Sequence, residues 1–351
     1  MSIDLKRQFN FDFIDGIRAV AMVCIVAEHC ITAYDFDPQK DIISYFTYFS
    51  IIQFTKFGTI IFFLVAGFLM GDKFEKYSPA QYYKRRLTTI AVPWLFWTCI
   101  YILGLWITMR WTSKYYYNNR IILEEIEKIF LYSNYWFVIN YLFSIGILLI
   151  FRSKLYDYRF GGILAFFTFF YALNVHFEWI PSNHTTAVLG FIFFVWMGAQ
   201  FRKHWWYIEK KLYRISYLPL LGLTLCFAVL GIMESSALYG IKGNPFNTLR
   251  ISNILFSLSV FLLLLRMRPV GIVKFLQPRR MTYGIYLTHY LLIVFLLPRL
   301  ILYFNISVYD LKYWQLVVYT CCVLIYIYGL SFFIVYLIGN TKARTLVGIK
   351  K

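Results

Sequence analysis

The chain has 351 residues, of which 60% are hydrophobic, 22% aromatic and only 15% charged, with a mean hydropathy of +0.61. Soluble domains carry about 25% charged residues, so a water-soluble globule is excluded and a lipid bilayer is the expected solvent. The net charge of +18 would suggest nucleic acid on a soluble protein, but here the basic residues sit in short loops between apolar runs, so no nucleic-acid partner is expected.

A membrane-spanning helix needs about 20 mostly apolar residues. Ten runs qualify in chain order, at 14–33, 56–72, 88–109, 136–151, 160–174, 187–201, 216–233, 249–266, 283–303 and 313–338. The expected architecture is all-α: a polytopic integral membrane protein of about ten transmembrane helices. A single transmembrane domain over residues 1–351 is expected, with no linker or repeat dividing it and no soluble appendage. The first run holds Arg18, Glu28 and His29, which is wrong for a signal-peptide core. If the N-terminus is cytoplasmic, alternate loops place 24 Lys and Arg inside and seven outside, with Arg18, Lys56, Arg250 and Arg299 within spans. That split, with an even number of spans, predicts both termini in the cytoplasm.

Three loops carry more than connection. Residues 77–87 mix tyrosines with Lys84, Arg85 and Arg86 and suit the cytoplasmic interface. After the third run, Tyr115–Tyr117 read as an interfacial belt. Residues 120–132 then carry Ile122, Ile126, Ile129 and Phe130 on one face, an amphipathic helix on the outer side. Residues 174–184 hold His176, Glu178, Trp179 and His184. An aromatic among hydrogen-bonding groups suits a sugar ring, and Trp179 equally suits an interfacial anchor. The six cysteines form no CxxC pair and read as small buried hydrophobes; no metal site is expected.

Most chemical information sits in the first run. Arg18 and His29 are eleven residues apart, which on a helix is about 20° beyond three turns and about 16 Å along the axis. They share a face, with Arg18 in the cytoplasmic part and His29 in the outer half. A guanidinium offers a permanently charged fork for phosphate oxygens, or it pairs with Asp15 one turn earlier. An imidazole near neutrality deprotonates a hydroxyl or relays a proton, or it is a hydrogen-bonded core group. Glu28 points about 100° away from His29, so it pairs with another helix or lines the same cavity. Tyr286 and His289, three residues apart on the ninth run, are neighbours placed to face that cavity or to bond each other.

The segment DGIRAVAMVCIVAEH resembles the opening signature of the membrane-bound acyltransferase family 3, an Asp-Gly-x-Arg start with a His eleven residues after the Arg. FFLVAGFLMG (62–71) is similar to that family's second span, with Ala66 where Ser is usual. YWFVINYL (135–142) resembles its Trp-Phe segment, and MTYGIYLTHYLLI (281–293) its late Gly-Ile-Tyr-x-x-His segment. The resemblance covers essentially the whole chain. One departure stands out: where the family often carries Arg-x-x-Arg before the third span, this chain has Arg86 followed by Thr89.

The resemblance implies acyl transfer from an acyl-CoA, usually acetyl-CoA, to bacterial surface glycans at the inner membrane. It implies that Arg18 and His29 are the essential pair and that Lys84, Arg85 and Arg86 line the coenzyme entrance. His289 is implied as a second polar group of the core; apart from the resemblance, His289, Tyr286, Trp136 and Trp179 are the candidates for binding the glycan acceptor. Two other functions use the same residues: export of a glycan or lipid-linked sugar without chemistry, and succinyl in place of acetyl transfer. No internal repeat of the transporter type supports the exporter. There is no GxSxG elbow, P-loop or GxGxxG, so a self-contained serine hydrolase, a nucleotidase and a nicotinamide enzyme are not expected.

Overall fold

The computed structural model describes residues 11–350 except 33–35, 37, 38, 40, 72, 74–76, 113–118, 243, 270 and 272. Tyr115–Tyr117 and the side chain of Ile122 lie outside the described part. Every regular element among the described residues is a helix. In chain order these are α1 (Asp12–Thr32), α2 (Ile42–Thr55), α3 (Gly58–Met70), α4 (Pro79–Arg86), α5 (Val92–Thr112), α6 (Asn119–Leu131), α7 (Trp136–Ile150) and α8 (Tyr158–Phe177). They continue with α9 (Val188–Lys203), α10 (Trp205–Arg214), α11 (Tyr217–Leu238), α12 (Ile251–Met267), α13 (Pro278–Leu291), α14 (Leu297–Tyr303) and α15 (Tyr313–Gly339).

Each of the ten apolar runs falls on a helix, but fewer stretches are long and apolar enough to cross a bilayer. Six qualify by length and composition: Ile42–Met70, Pro79–Arg110, Tyr158–Phe177, Tyr217–Leu238, Pro278–Tyr303 and Tyr313–Gly339. A seventh is added if α6 and α7, bent by 57°, are one span. The shortfall from ten has a physical cause. Helices α7, α9 and α12 have 15, 16 and 17 residues, and α1 carries Asp12, Asp15, Arg18 and Glu28. The sequence reading also missed α2, which precedes α3 in one 29-residue stretch. Asp41 caps α2, its Oδ1 accepting from Ile43 N–H at 3.0 Å and Ser44 N–H at 2.8 Å.

Burial separates an inner set of helices from an outer one. The α2–α3 stretch is 72% buried within the protein, whereas the stretches through α5 and α15 are 22% buried. The inner helices touch backbone to backbone. A Cβ on Gly67 of α3 would lie 1.8 Å from the Val195 carbonyl oxygen of α9, and one on Gly198 would lie 2.0 Å from the Leu64 oxygen. Gly58 meets the Ala21 oxygen of α1 in the same way, at 2.6 Å. Close approach through glycine is how helices pack where lipid removes the hydrophobic drive. It clamps α3 between α1 and α9, so the polar groups of α1 lie inside the bundle.

Arg250, fully buried, ties α2, α11 and α12 together. It donates to Gly231 O at 2.7 Å, Gln53 Oε1 at 3.0 Å and Asn247 O at 3.2 Å, and also bonds Ser235 Oγ. Four cysteines depart from the expected burial. Cys99, Cys226, Cys321 and Cys322 are exposed, on the outer helices α5, α11 and α15. A thiol on a flank solvated by hydrocarbon has no need of the protein interior.

Candidate functional site

Among the described residues, three cavities meet α1: one at its first turns beside Asp12, Asp15 and Arg279, and two that hold the sequence candidates, one toward each end of the helix. The first of these two, of about 250 Å³, is lined by polar groups including Glu28, His29, Lys56, Asn134, His184 and Thr248. His29 stands in the last turn of α1, its Nδ1 2.9 Å from His289 Nε2, with the rings nearly parallel at 13°. His289 is wholly buried and its Nδ1 lies 2.9 Å from Ile285 O. A carbonyl only accepts, so His289 Nδ1 carries the proton and its Nε2 is an acceptor. His29 Nδ1 is therefore the donor of the pair, and a neutral His29 keeps its lone pair on Nε2. The Ile285 carbonyl thus sets the tautomer of a histidine one ring away.

Glu28 does not orient His29. Its Oε1 receives Lys56 Nζ at 2.5 Å, and the two residues are 6% and 7% exposed. His184, in the turn before α9, stacks on Trp136 at 4.2 Å between centroids. Its Nε2 accepts the Thr248 N–H at 3.4 Å and lies 3.1 Å from Thr248 Oγ1. Burial, with Lys56 and His29 nearby, pushes His184 down to about 3, so it is neutral at physiological pH.

The second cavity, of about 230 Å³, is lined by Arg18, Arg86, Thr89, Tyr141, Arg279 and Tyr286 among others. Arg18 meets Asp15 at 3.2 Å, and Asp15 also receives Arg279. A smaller hollow adjoins through Arg86 and adds Lys73, Arg85 and Lys350. Local sequence shapes this region. Ser78 and Gln81 form a capping box and Pro79 opens α4, favourable choices for a helix start. The helix then presents Lys84, Arg85 and Arg86 in its last turn. Arg85 donates to Tyr77 Oη at 2.9 Å and Arg86 to Tyr82 Oη at 2.8 Å, neutral phenols that bring no negative charge to either guanidinium. A π-helical turn, Leu87–Ala91, follows. Its Thr89 hydroxyl donates to Arg85 O at 2.9 Å. Such turns often mark functional sites. Partial burial, then the charges of Arg86, Lys350, Arg85 and Arg18, push Lys73 down to about 8.

The two cavities share no lining residue, and a contact between Tyr286 and Asn134 joins their walls. Tyr286 lines the Arg18 cavity and Asn134 the His29 cavity. The Tyr286 hydroxyl donates to Asn134 O, and Asn134 Nδ2 donates to Tyr286 O at 3.4 Å. Asn134 Oδ1 is buried with no protein partner.

The sequence candidates thus divide between places. His29, Glu28 and Trp136 line one cavity, and Arg18, Arg86 and Tyr286 the other. Arg85 lines the adjoining hollow. His289 lines neither cavity and supports His29 from behind. Lys84 is exposed and outside the linings. Trp179 is exposed, stacked on Phe177 at 5.0 Å, away from both cavities. Ala66 and Thr89, the two departures from the family pattern, both line the Arg18 cavity. Sequence reasoning missed Lys56, Asn134, Thr248 and Lys73 as site residues. A lone Lys within FTKFG was a usable signal for the first; the others stand in loops or loop edges, where polar residues are ordinary.

A protein-family model, that of the family 3 acyltransferase domain, matches residues 11–336. No curated protein and no solved structure matches the chain significantly.

Proposed function

This chain belongs to the family 3 acyltransferases, and from that premise we propose that it moves an acetyl group from acetyl-CoA to a hydroxyl of an envelope or extracellular glycan. The observation that carries the reading is the imidazole pair. His289 fixes the His29 tautomer so that Nε2 is free to accept a proton inside a polar cavity. In the proposed topology about ten helices cross a bacterial inner membrane with both termini cytoplasmic. The Arg18 cavity then opens inward and the His29 cavity outward.

Arg18, Arg85, Arg86, Lys73 and Lys350 supply cationic and hydrogen-bonding groups of the kind that hold coenzyme phosphates. The roughly 16 Å along α1 from Arg18 to His29 is of the order a pantetheine arm spans, which supports one helix serving both ends of the donor. The arm reaches His29 once the Tyr286–Asn134 contact opens. His29 Nε2 then removes the proton of the acceptor hydroxyl as its oxygen attacks the thioester carbonyl carbon. The carbon–sulfur bond breaks, and His29 returns the proton to the departing thiolate.

The test is His29→Ala in a full-length, membrane-inserted protein, read by acetyl transfer from labelled acetyl-CoA and by NMR of surface-glycan O-acetyl groups. General base catalysis contributes about 10²–10⁴-fold, and a loss of that size is expected with acetyl-CoA binding retained. Wild-type transfer by the variant would remove His29 from the mechanism. Failure of the wild-type protein to bind or turn over acetyl-CoA would favour an exporter, and competition by other acyl-CoA thioesters tests acetyl against succinyl.

A further inference from the structure

We infer that the His29 cavity selects an uncharged sugar unit as acceptor, and that the Glu28–Lys56 pair sets this selectivity. The inference rests on the transferase reading above and narrows its substrate. Among the described residues that line the cavity two side chains are formally charged, and they pair with each other at 2.5 Å. His184 Nε2 accepts a backbone N–H, so no proton sits on it. His29 carries its one proton toward His289. The other described lining residues are neutral: hydroxyls and amides such as Asn134, Asn183, Asn244 and Thr248, and the aromatic rings of Trp136 and Tyr290. That mixture matches the polar edges and apolar faces of a neutral hexose, deoxyhexose or N-acetylhexosamine.

A uronate, sialate or phosphorylated sugar fares differently. Its anion loses hydration on entering and finds no uncommitted cation among the described lining residues. Lys56 is its one candidate partner among the described lining residues, and taking it would strand the buried Glu28 carboxylate, which is costly. The pair therefore acts by exclusion, a specificity built on what is left unpaired rather than on a new contact.

The experiment is acetyl transfer and saturation-transfer NMR binding on purified full-length protein, against a panel of neutral glycans and matched uronate, sialate and phosphate-bearing glycans. Neutral acceptors are expected to bind and be acetylated, and anionic ones to be rejected. In Glu28→Gln, Lys56 loses its partner, and the ratio of anionic to neutral binding should rise about tenfold, the scale of one charge-assisted hydrogen bond. The double variant Glu28→Gln/Lys56→Met removes both charges and should return that ratio to the wild-type value, which also controls for misfolding of the single variant. Anionic glycans binding the wild type as well as neutral ones would overturn the inference, as would an unchanged ratio in a folded Glu28→Gln. Absence of acetyl-CoA binding or turnover would instead defeat the underlying transferase reading.

Discussion

A single carbonyl, that of Ile285, determines which nitrogen of His29 is basic, because it fixes the His289 proton and through it the donor of the pair. His289 is thus a positioning residue. His289→Phe should lower kcat by about 10–100-fold, as loss of partners that orient metal-bound histidines does, with the KM for acetyl-CoA unchanged and the pH–rate profile displaced. An unchanged pH profile would leave His289 a packing residue only. Lys73 gives a second residue-scale prediction. Its folded value near 8 lies below the ordinary 10.5, so the free site loses this charge as pH rises through 8. A bound phosphate draws the value back up, and binding then takes up a proton. The KM for acetyl-CoA should rise between pH 7 and 9.5 in the wild type and stay flatter in Lys73→Met. Arg18 and His29 were legible in the sequence because charges in an apolar run are conspicuous. Lys56 was counted but not given a role, since its partner Glu28 lies 28 residues away and only the fold joins them.

At the scale of elements, the α1–α3–α9 contact sets where His29 stands. Gly67 and Gly198 permit the α3–α9 approach, and Gly198→Val puts a side chain where the Leu64 carbonyl lies. Overpacking costs about 1–3 kcal/mol or more, so this variant should lose much of its monodisperse folded fraction in detergent chromatography. Gly222→Ala on α11 is the control, since nothing lies within 4 Å of its added methyl, and its yield should match wild type. The helices were readable where hydropathy was continuous. α2 was not, because its 14 residues fall short of a span and Lys56 separates them from the apolar run of α3. Its buried face meets other helices rather than lipid, so a polar Gln53 serves there as a partner for Arg250.

For the whole molecule, length and apolarity undercount the helices in the bundle, and the reason is position. α5, α8, α11 and α15 turn most of their surface outward and must be long and apolar. Helices such as α1, α3 and α9 are wrapped by protein, so charges, glycines and short lengths are tolerated. The family membership accordingly rested on motif spacing within α1 and α13 more than on composition. The division into two cavities matters beyond catalysis. A passage open at both mouths would short-circuit the proton-motive force of any membrane holding the protein. In the proposed topology the Tyr286–Asn134 contact joins the walls of the two cavities, and it would have to close around the donor arm for such a leak to be avoided. Tyr286→Ala should then admit the leak. Proteoliposomes carrying it, loaded with a pH-sensitive dye, should dissipate an imposed pH gradient faster than those carrying the wild type.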